Sequence, residues 1–154
     1  FVNTQFQIQT PTGDYDKNRL ISPGLNHWTF SPIVNATYIS DTGFEVSSSF
    51  EVDINTRNPA TDYKNGVEYR HEFAVGQHFG PWTAGIGGYY YRQFTDDDAP
   101  GLTSGNRARV LAVGPAVSYV KPGLPPVWLH LYKEQGASNR AEGYTVALRV
   151  SQSF

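Results

Sequence analysis

The chain has 154 residues, 14 Asp and Glu against 12 Lys and Arg, 15 Gly, 10 Pro, 14% aromatic residues and no Cys. Without Cys there is no disulfide framework and no thiolate metal site or nucleophile, and a net charge of -2 without a dense basic patch makes no case for nucleic acid as a partner. A mean hydropathy of -0.44 and the lack of any run of about 18 apolar residues exclude a transmembrane helix. They leave open strands that cross a membrane, where only every second residue faces lipid.

The length suits one domain spanning 1–154, and the Gly, Pro and aromatic content favours many strands and turns. No signal peptide and no initiating Met precede Phe1, so the sequence reads as mature, processed or a portion of something longer. Eight strands are expected, over 1–10, 27–39, 44–55, 67–79, 82–94, 107–120, 127–135 and 143–154. In the first, Val2, Phe6 and Ile8 oppose Asn3, Gln5, Gln7 and Gln9. The connection 10–26 that follows carries Tyr15, Leu20 and Ile21 among polar residues. Loops of this length are often functional, so it is either a lid that folds into a mouth and offers a solute an apolar contact, or an ordinary exposed loop.

The segment 44–55 shows the alternation most clearly. Phe44, Val46, Phe50, Val52 and Ile54 share one face, and Glu45, Ser47, Ser49, Glu51, Asp53 and Asn55 share the other. A helix would scatter both sets around its circumference, so only a strand separates them. Within 82–94, Gly85-Ile-Gly-Gly88 is no dinucleotide fingerprint, because no helix follows. Its glycines are expected to make room for Tyr89 and Tyr91 or to permit sheet curvature. Asp96, Asp97 and Asp98 could hold a divalent cation bridging lipopolysaccharide phosphates, or form a solvated acidic loop. The last strand, from Tyr144 to Phe154, is apolar at Tyr144, Val146, Leu148, Val150 and Phe154. A terminal strand of this kind, closing on Phe, is what outer-membrane barrels present to their insertion machinery.

Two regularities run across the strands. Long polar connections (10–26, 55–66, 95–106, 135–143) are expected to alternate strictly with short ones (40–43, 80–81, 121–126), the asymmetry of outer-membrane barrels, with both chain ends on the periplasmic side. Trp28 and Tyr38, Tyr69 and Phe79, and Tyr144 and Phe154 are each ten residues apart on one strand face. Ten residues at about 3.3 Å each, tilted by about 40°, rise roughly 25 Å, the height of the apolar band of such a barrel. With Trp82 these residues would form two aromatic girdles at the membrane interfaces; otherwise they express only the abundance of aromatics in strands. A soluble barrel of the lipocalin kind has the same period with the faces exchanged, but its water-facing positions would carry many Lys and Glu. Here Lys17, Lys64 and Lys121 lie in connections and Lys133 near a strand end. The expected fold is therefore an all-β, antiparallel up-and-down transmembrane β-barrel.

Projected inward, the alternation nominates Glu45, Glu51, Asp53, Glu68, Arg70, Glu72, Tyr89, Tyr91, His130, Tyr132, Glu134 and Arg149 as lumen residues. Such charges either line a water path and set its ion preference, or satisfy one another in a plug. A catalytic reading would need a Ser or His at the lipid-facing rim with a carboxylate or amide to orient it. His27 with Ser31, or His71 with Glu68, are the available sets, but His71 projects to the apolar side and no nucleophile spacing recommends itself. No enzyme activity, metal or cofactor is expected.

Five stretches carry a family resemblance: Gly13-Asp-Tyr-Asp-Lys-Asn-Arg19 onward through Asn26-His-Trp-Thr-Phe-Ser-Pro32, Thr61-Asp-Tyr-Lys-Asn-Gly66, Gly85-Ile-Gly-Gly-Tyr-Tyr-Tyr-Arg-Gln-Phe-Thr-Asp-Asp-Asp98, Val110-Leu-Ala-Val-Gly-Pro115 and Tyr132-Lys-Glu-Gln-Gly-Ala-Ser-Asn-Arg-Ala-Glu-Gly143. In this combination and order the chain resembles the outer-membrane proteins named for the meta-pathway of phenol degradation. The resemblance implies a channel for passive uptake of small hydrophobic or aromatic solutes, with membrane lipids, lipopolysaccharide and the barrel-insertion machinery as partners. Family members are usually longer, so it also implies that about eight strands here are the C-terminal part of a larger barrel. Eight strands enclose an interior that side chains fill, and a solute path needs more. The alternative is a small closed barrel with a structural or adhesive role through its loops.

Overall fold

The computed structural model describes residues 1–152. Eight strands form one antiparallel sheet in chain order: β1 (Val2–Gln9), β2 (Thr29–Ile39), β3 (Phe44–Asn55), β4 (Glu68–Phe79), β5 (Trp82–Gln93), β6 (Arg109–Tyr119), β7 (Val127–Ser138) and β8 (Tyr144–Val150). Each strand pairs only with its sequence neighbours, and β1 does not pair with β8, so the sheet is open at both edges. No helix is long and apolar enough to cross a membrane, which says nothing of strands.

The cross-strand registers carry the alternation from strand to strand without inversion. Ile33 stands opposite Glu51, Glu51 opposite Arg70, Arg70 opposite Tyr91 and Tyr91 opposite Val110. On the other face Val34, Phe50, His71, Tyr90 and Leu111 succeed one another in the same way. Because a one-residue slip would exchange the faces, this agreement keeps one face polar across the whole sheet. The polar face is concave: Asn35 and Thr37 of β2, Tyr89 of β5, His130 and Tyr132 of β7 and Thr145 of β8 line one common cavity.

Burial is the reverse of that in a water-soluble domain. Thr29, Ser31, Asp53, Asn55, Gln93 and Glu134 are buried on the concave side, where Val110 and Ala112 are the apolar residues that join them. On the convex side, Phe6, Phe79, Val146 and Leu148 are each more than 60% exposed. Phe50 and Leu148 thus face away from the enclosure rather than filling it.

The strict alternation of connection lengths does not hold at the last pair. β7 continues to Ser138, three residues beyond expectation, so the connection to β8 is only 139–143, shorter than 120–126. The extra length exists because Ser138 still finds a partner in Arg109 of β6, across a register shift between Arg109 and Leu111 that a local pattern cannot reveal. Gly136, at φ 67, lies within that shift and takes up the additional residue, as left-handed glycines do in β-bulges.

Glycines mark the places where strands and side chains crowd each other. A Cβ on Gly87 would lie 2.7 Å from the Tyr132 hydroxyl, so this glycine makes room for Tyr132 and not, as expected, for Tyr89 or Tyr91. At Gly114 a Cβ would come within 1.9 Å of the Leu131 carbonyl oxygen, where the β6 and β7 backbones crowd each other.

Candidate functional site

All twelve proposed lumen residues stand on the concave face, in three groups along the strands. Toward the end where the longest connections lie, Arg70 is surrounded by three carboxylates, Asp53 at 2.9 Å, Glu68 at 3.2 Å and Glu51 at 3.6 Å. Ser31 donates a short hydrogen bond to Asp53, and Thr29 donates to Asn55 at 2.7 Å. These groups, with Gln7, Gln9, Leu25 and His27, bound a polar cavity of about 290 Å³. One cation amid three anions leaves this end of the concave face acidic.

Midway along the strands the character changes. Glu72, Tyr89, His130 and Tyr132 surround a cavity of about 390 Å³ with Asn35, Thr37, Ser47 and Ser49 opposite. Tyr132 is edge-on to Tyr89 at 6.3 Å and stacks on His130 at 5.4 Å. Small side chains on β2 and β3 and rings on β5 and β7 give the cavity one hydrogen-bonding wall and one aromatic wall. A third cavity of about 220 Å³, lined by Glu45, His78, Trp128 and His130, lies toward the short turns. There His78 Nε2 is 2.6 Å from Glu45 and Arg149 stacks over Trp128 at 5.3 Å.

Glu134 is held from three directions. The Tyr89 hydroxyl donates at 2.6 Å, Arg140 at 2.8 Å and the Gly143 amide at 2.9 Å. Arg140 also lies over the Tyr91 ring at 5.6 Å. This knot ties the β7–β8 connection to β5 and covers that part of the face, so Glu134 and Tyr91 belong to a structural network more than to a free wall. Among the ion-pairing side chains of these groups, sequence reasoning missed two. His78 has the same parity as Glu68, Arg70 and Glu72, so a stricter use of the alternation would have found it. Arg140 sits in a connection, where no periodicity applies.

The candidate lid lies elsewhere. Leu20 is fully exposed and Ile21 nearly so, and neither these nor Tyr15 line the cavities described above. The connection is pinched at its base, where the Gly24 amide donates to the Asp14 carbonyl at 2.9 Å, and Leu25 is the apolar residue it gives to the polar cavity.

The Asp96, Asp97 and Asp98 carboxylates diverge. Asp96 accepts from Arg107 at 2.9 Å, Asp98 pairs with Arg57, and Asp97 accepts from the Tyr63 hydroxyl, the Gly66 amide at 2.8 Å and Gln93 at 2.6 Å. Among the described residues no cluster of three or more His, Asp or Glu is arranged to hold a metal ion. The triplet forms no cation cage: Asp97 and the largely exposed Asp98 staple the connection 94–108 to 56–67, and Asp96 pairs within its own connection. The Arg107 guanidinium holds the Asp96 carboxyl below its ordinary range, with a Gly105 backbone hydrogen bond assisting.

Burial, then the hydrogen bond to Asp97, pushes the Tyr63 phenol up to about 12 from its ordinary 10.0. Since folding raises this pKa, the stabilisation is whole below pH 10 and is lost as pH climbs through 12. Two outcomes are expected. Tyr63→Phe should remove one late tyrosinate transition from an absorbance titration of the intact protein. Asp97→Ala should speed amide exchange at Gly66 by about ten-fold or more, because charged hydrogen bonds contribute roughly 1.5–3 kcal/mol.

The catalytic pairs are not assembled. The His27 ring engages the Leu25 carbonyl at 3.0 Å, and Ser31 is committed to Asp53. His71 stands on the convex face, stacked on Phe50 at 4.4 Å, with Ser48 Oγ at 3.3 Å, whereas Glu68 is on the concave face with Arg70.

The aromatic residues divide by height on the convex side. Trp28, Tyr69 and Tyr144 lie toward the long connections, and Tyr38, Phe79 and Trp82 toward the short turns. Phe94 stacks on Tyr69 at 5.5 Å and Tyr119 packs against Trp82 at 4.8 Å, so each end also contains a ring the sequence reading left out. Phe154 lies outside the described residues.

A curled antiparallel up-and-down meander, polar on its concave face and apolar on its convex face, defines an all-β protein built on one open sheet. The chain belongs to the family described as MetA-pathway of phenol degradation, whose profile matches residues 1–150. No curated protein and no solved structure matches the chain.

Proposed function

We propose that this chain forms a wall of an outer-membrane channel for the passive entry of small hydrophobic or aromatic molecules, its sheet completed to a full barrel by further strands. The observation that carries the proposal is the reversed burial. A water-soluble monomer rarely exposes contiguous apolar patches beyond a few hundred Å², and each large apolar side chain left in water forgoes about 1.5–3 kcal/mol. Here the exposed set covers one whole face of the sheet, from Phe6 on β1 to Leu148 on β8. Acyl chains remove that cost, and rings at both ends of the strands favour the headgroup levels.

The open edges support completion by more strands. β1 and β8 each leave one side of their backbone ladders unpaired, a template for another strand. On β1, Asn3 Oδ1 is buried without a hydrogen-bond partner among the described residues. The mid-wall cavity, with rings on one side and hydroxyls and Glu72 on the other, suits a small flat solute carrying a polar group. Diffusion suffices for such a path, and no group on the concave face needs a chemical role.

The intact protein in a planar bilayer is expected to conduct, and vesicles containing it to take up uncharged aromatic solutes faster than empty vesicles. Insertion without conductance or uptake would favour a plugged barrel acting through its connections. In a conducting protein, Tyr132→Ala is expected to slow aromatic uptake more than it changes ion conductance. Equal effects on both would remove the mid-wall cavity from the solute path.

A further inference from the structure

Six arginines have partners: Arg19 with Asp14, Arg57 with Asp62 and Asp98, Arg70 with its three carboxylates, Arg107 with Asp96, Arg140 with Glu134, and Arg149 with Trp128. The other two, Arg92 and Arg109, have none among the described residues, and they stand directly opposite each other on β5 and β6. Directly opposed residues of an antiparallel pair have Cα atoms about 5 Å apart, and like charges so placed are mutually destabilising. Both side chains are exposed. Their neighbours Gln93 and Val110 are buried on the concave side, so both guanidinium groups are on the convex face.

Their position along the wall is specific. Arg92 is opposite Tyr69 on β4, and Tyr69 contacts Tyr90 and Phe94, so the pair adjoins the aromatic cluster at the end of the long connections. Lys133 of β7 is exposed on the same face, opposite Tyr144 of β8. Arg92 and Arg109 thus meet the aromatic cluster, whereas Lys133, opposite Val113 of β6, stands four residues along that strand from Arg109.

We propose that Arg92 and Arg109 form a docking site for the phosphate of an anionic lipid in the leaflet nearest the long connections. The inference rests on the reading of the convex face as the lipid-facing one. Guanidinium groups present forked donors that match phosphate oxygens, an anion between them removes the repulsion between opposed arginines, and anionic headgroups attract cations at the membrane surface. A phosphate fixed there also anchors the β5–β6 region at a defined depth, as interfacial cations and rings together do.

The test titrates phosphatidic acid into the intact protein in neutral detergent and reads retained lipid by native mass spectrometry. Wild type should retain it about ten-fold more strongly than Arg92→Gln/Arg109→Gln, the two charge-assisted contacts being lost. Lys121→Gln, which removes an exposed cation at the opposite end, should behave as wild type. Equal retention by all three proteins overturns the proposal. Displacement of the lipid by millimolar inorganic phosphate would also overturn it, by showing a free-anion site. The membrane reading fails differently, through a protein that does not partition into vesicles of any charge.

Discussion

Arg70→Met is expected to lower the unfolding free energy of the intact protein by about 2–3 kcal/mol, read from the midpoint of urea unfolding in detergent. Removing one partner of a buried pair costs about 3–5 kcal/mol because the other charge stays uncompensated, and the 47% exposure of Arg70 moderates that figure. Asp53 is the decisive neighbour: it is 5% exposed and, without Arg70, retains the Ser31 hydroxyl but no cation among the described residues, with Glu51 and Glu68 close by. Adding Asp53→Asn to Arg70→Met should therefore restore more than half of the loss. A single variant as stable as wild type, or a double variant worse than the single, would show that water and not Arg70 compensates Asp53. The same variant reports on transport. Deleting the one cation at an acidic mouth should raise the preference for cations in a conducting protein.

Gly114→Ala is expected to cost about 3 kcal/mol or more, the upper range for overpacking. The added methyl would lie 1.9 Å from the Leu131 carbonyl oxygen and 3.1 Å from Tyr132 Cα. Both obstacles are backbone, so no rotamer change relieves them and the β6–β7 ladder has to part locally. Tyr132 would move with it, away from Tyr89 and His130. Gly143→Ala serves as the comparison, since the nearest atom to its Cβ is Glu134 Oε2 at 3.9 Å, an ordinary contact. It should change stability by less than about 0.5 kcal/mol. Equal unfolding midpoints for the two variants would mean that the sheet yields at Gly114 at little cost.

The contrast between these two glycines marks where the sequence stops being informative. Gly114 lies within β6 and Gly143 just ahead of β8, but neither place in the sequence tells how much room an added methyl would find. What separates them is the approach of a neighbouring backbone, set by how far the whole sheet has curled. The same holds for Arg140. Its contacts with Glu134 and Tyr91 depend on a connection folding back over the concave face, and no local period describes that path. His78 differs, because its parity in β4 is legible and only its partner Glu45 comes from another strand.

The acidic triplet at 96–98 shows the distinction at its sharpest. Three consecutive carboxylates suggest shared chemistry, yet consecutive residues outside a helix point in different directions: Asp96 meets Arg107 of its own connection, while Asp97 and Asp98 meet donors from another segment. Arg57 and Tyr63 are the residues that turn Asp97 and Asp98 into a staple, and no sequence pattern connects them. Likewise β7 could be extended past 135 only by knowing that Arg109 was there to receive Ser138.

By itself the sequence determined the eight strands, their order as a meander, and the assignment of every proposed lumen residue to one face, because period two is a property of the extended backbone and needs no partner. Only the tertiary structure decided that the edges at β1 and β8 stay unpaired, and which charges meet. Those outcomes depend on registers and contacts between residues far apart in the chain, whose energies no local pattern contains.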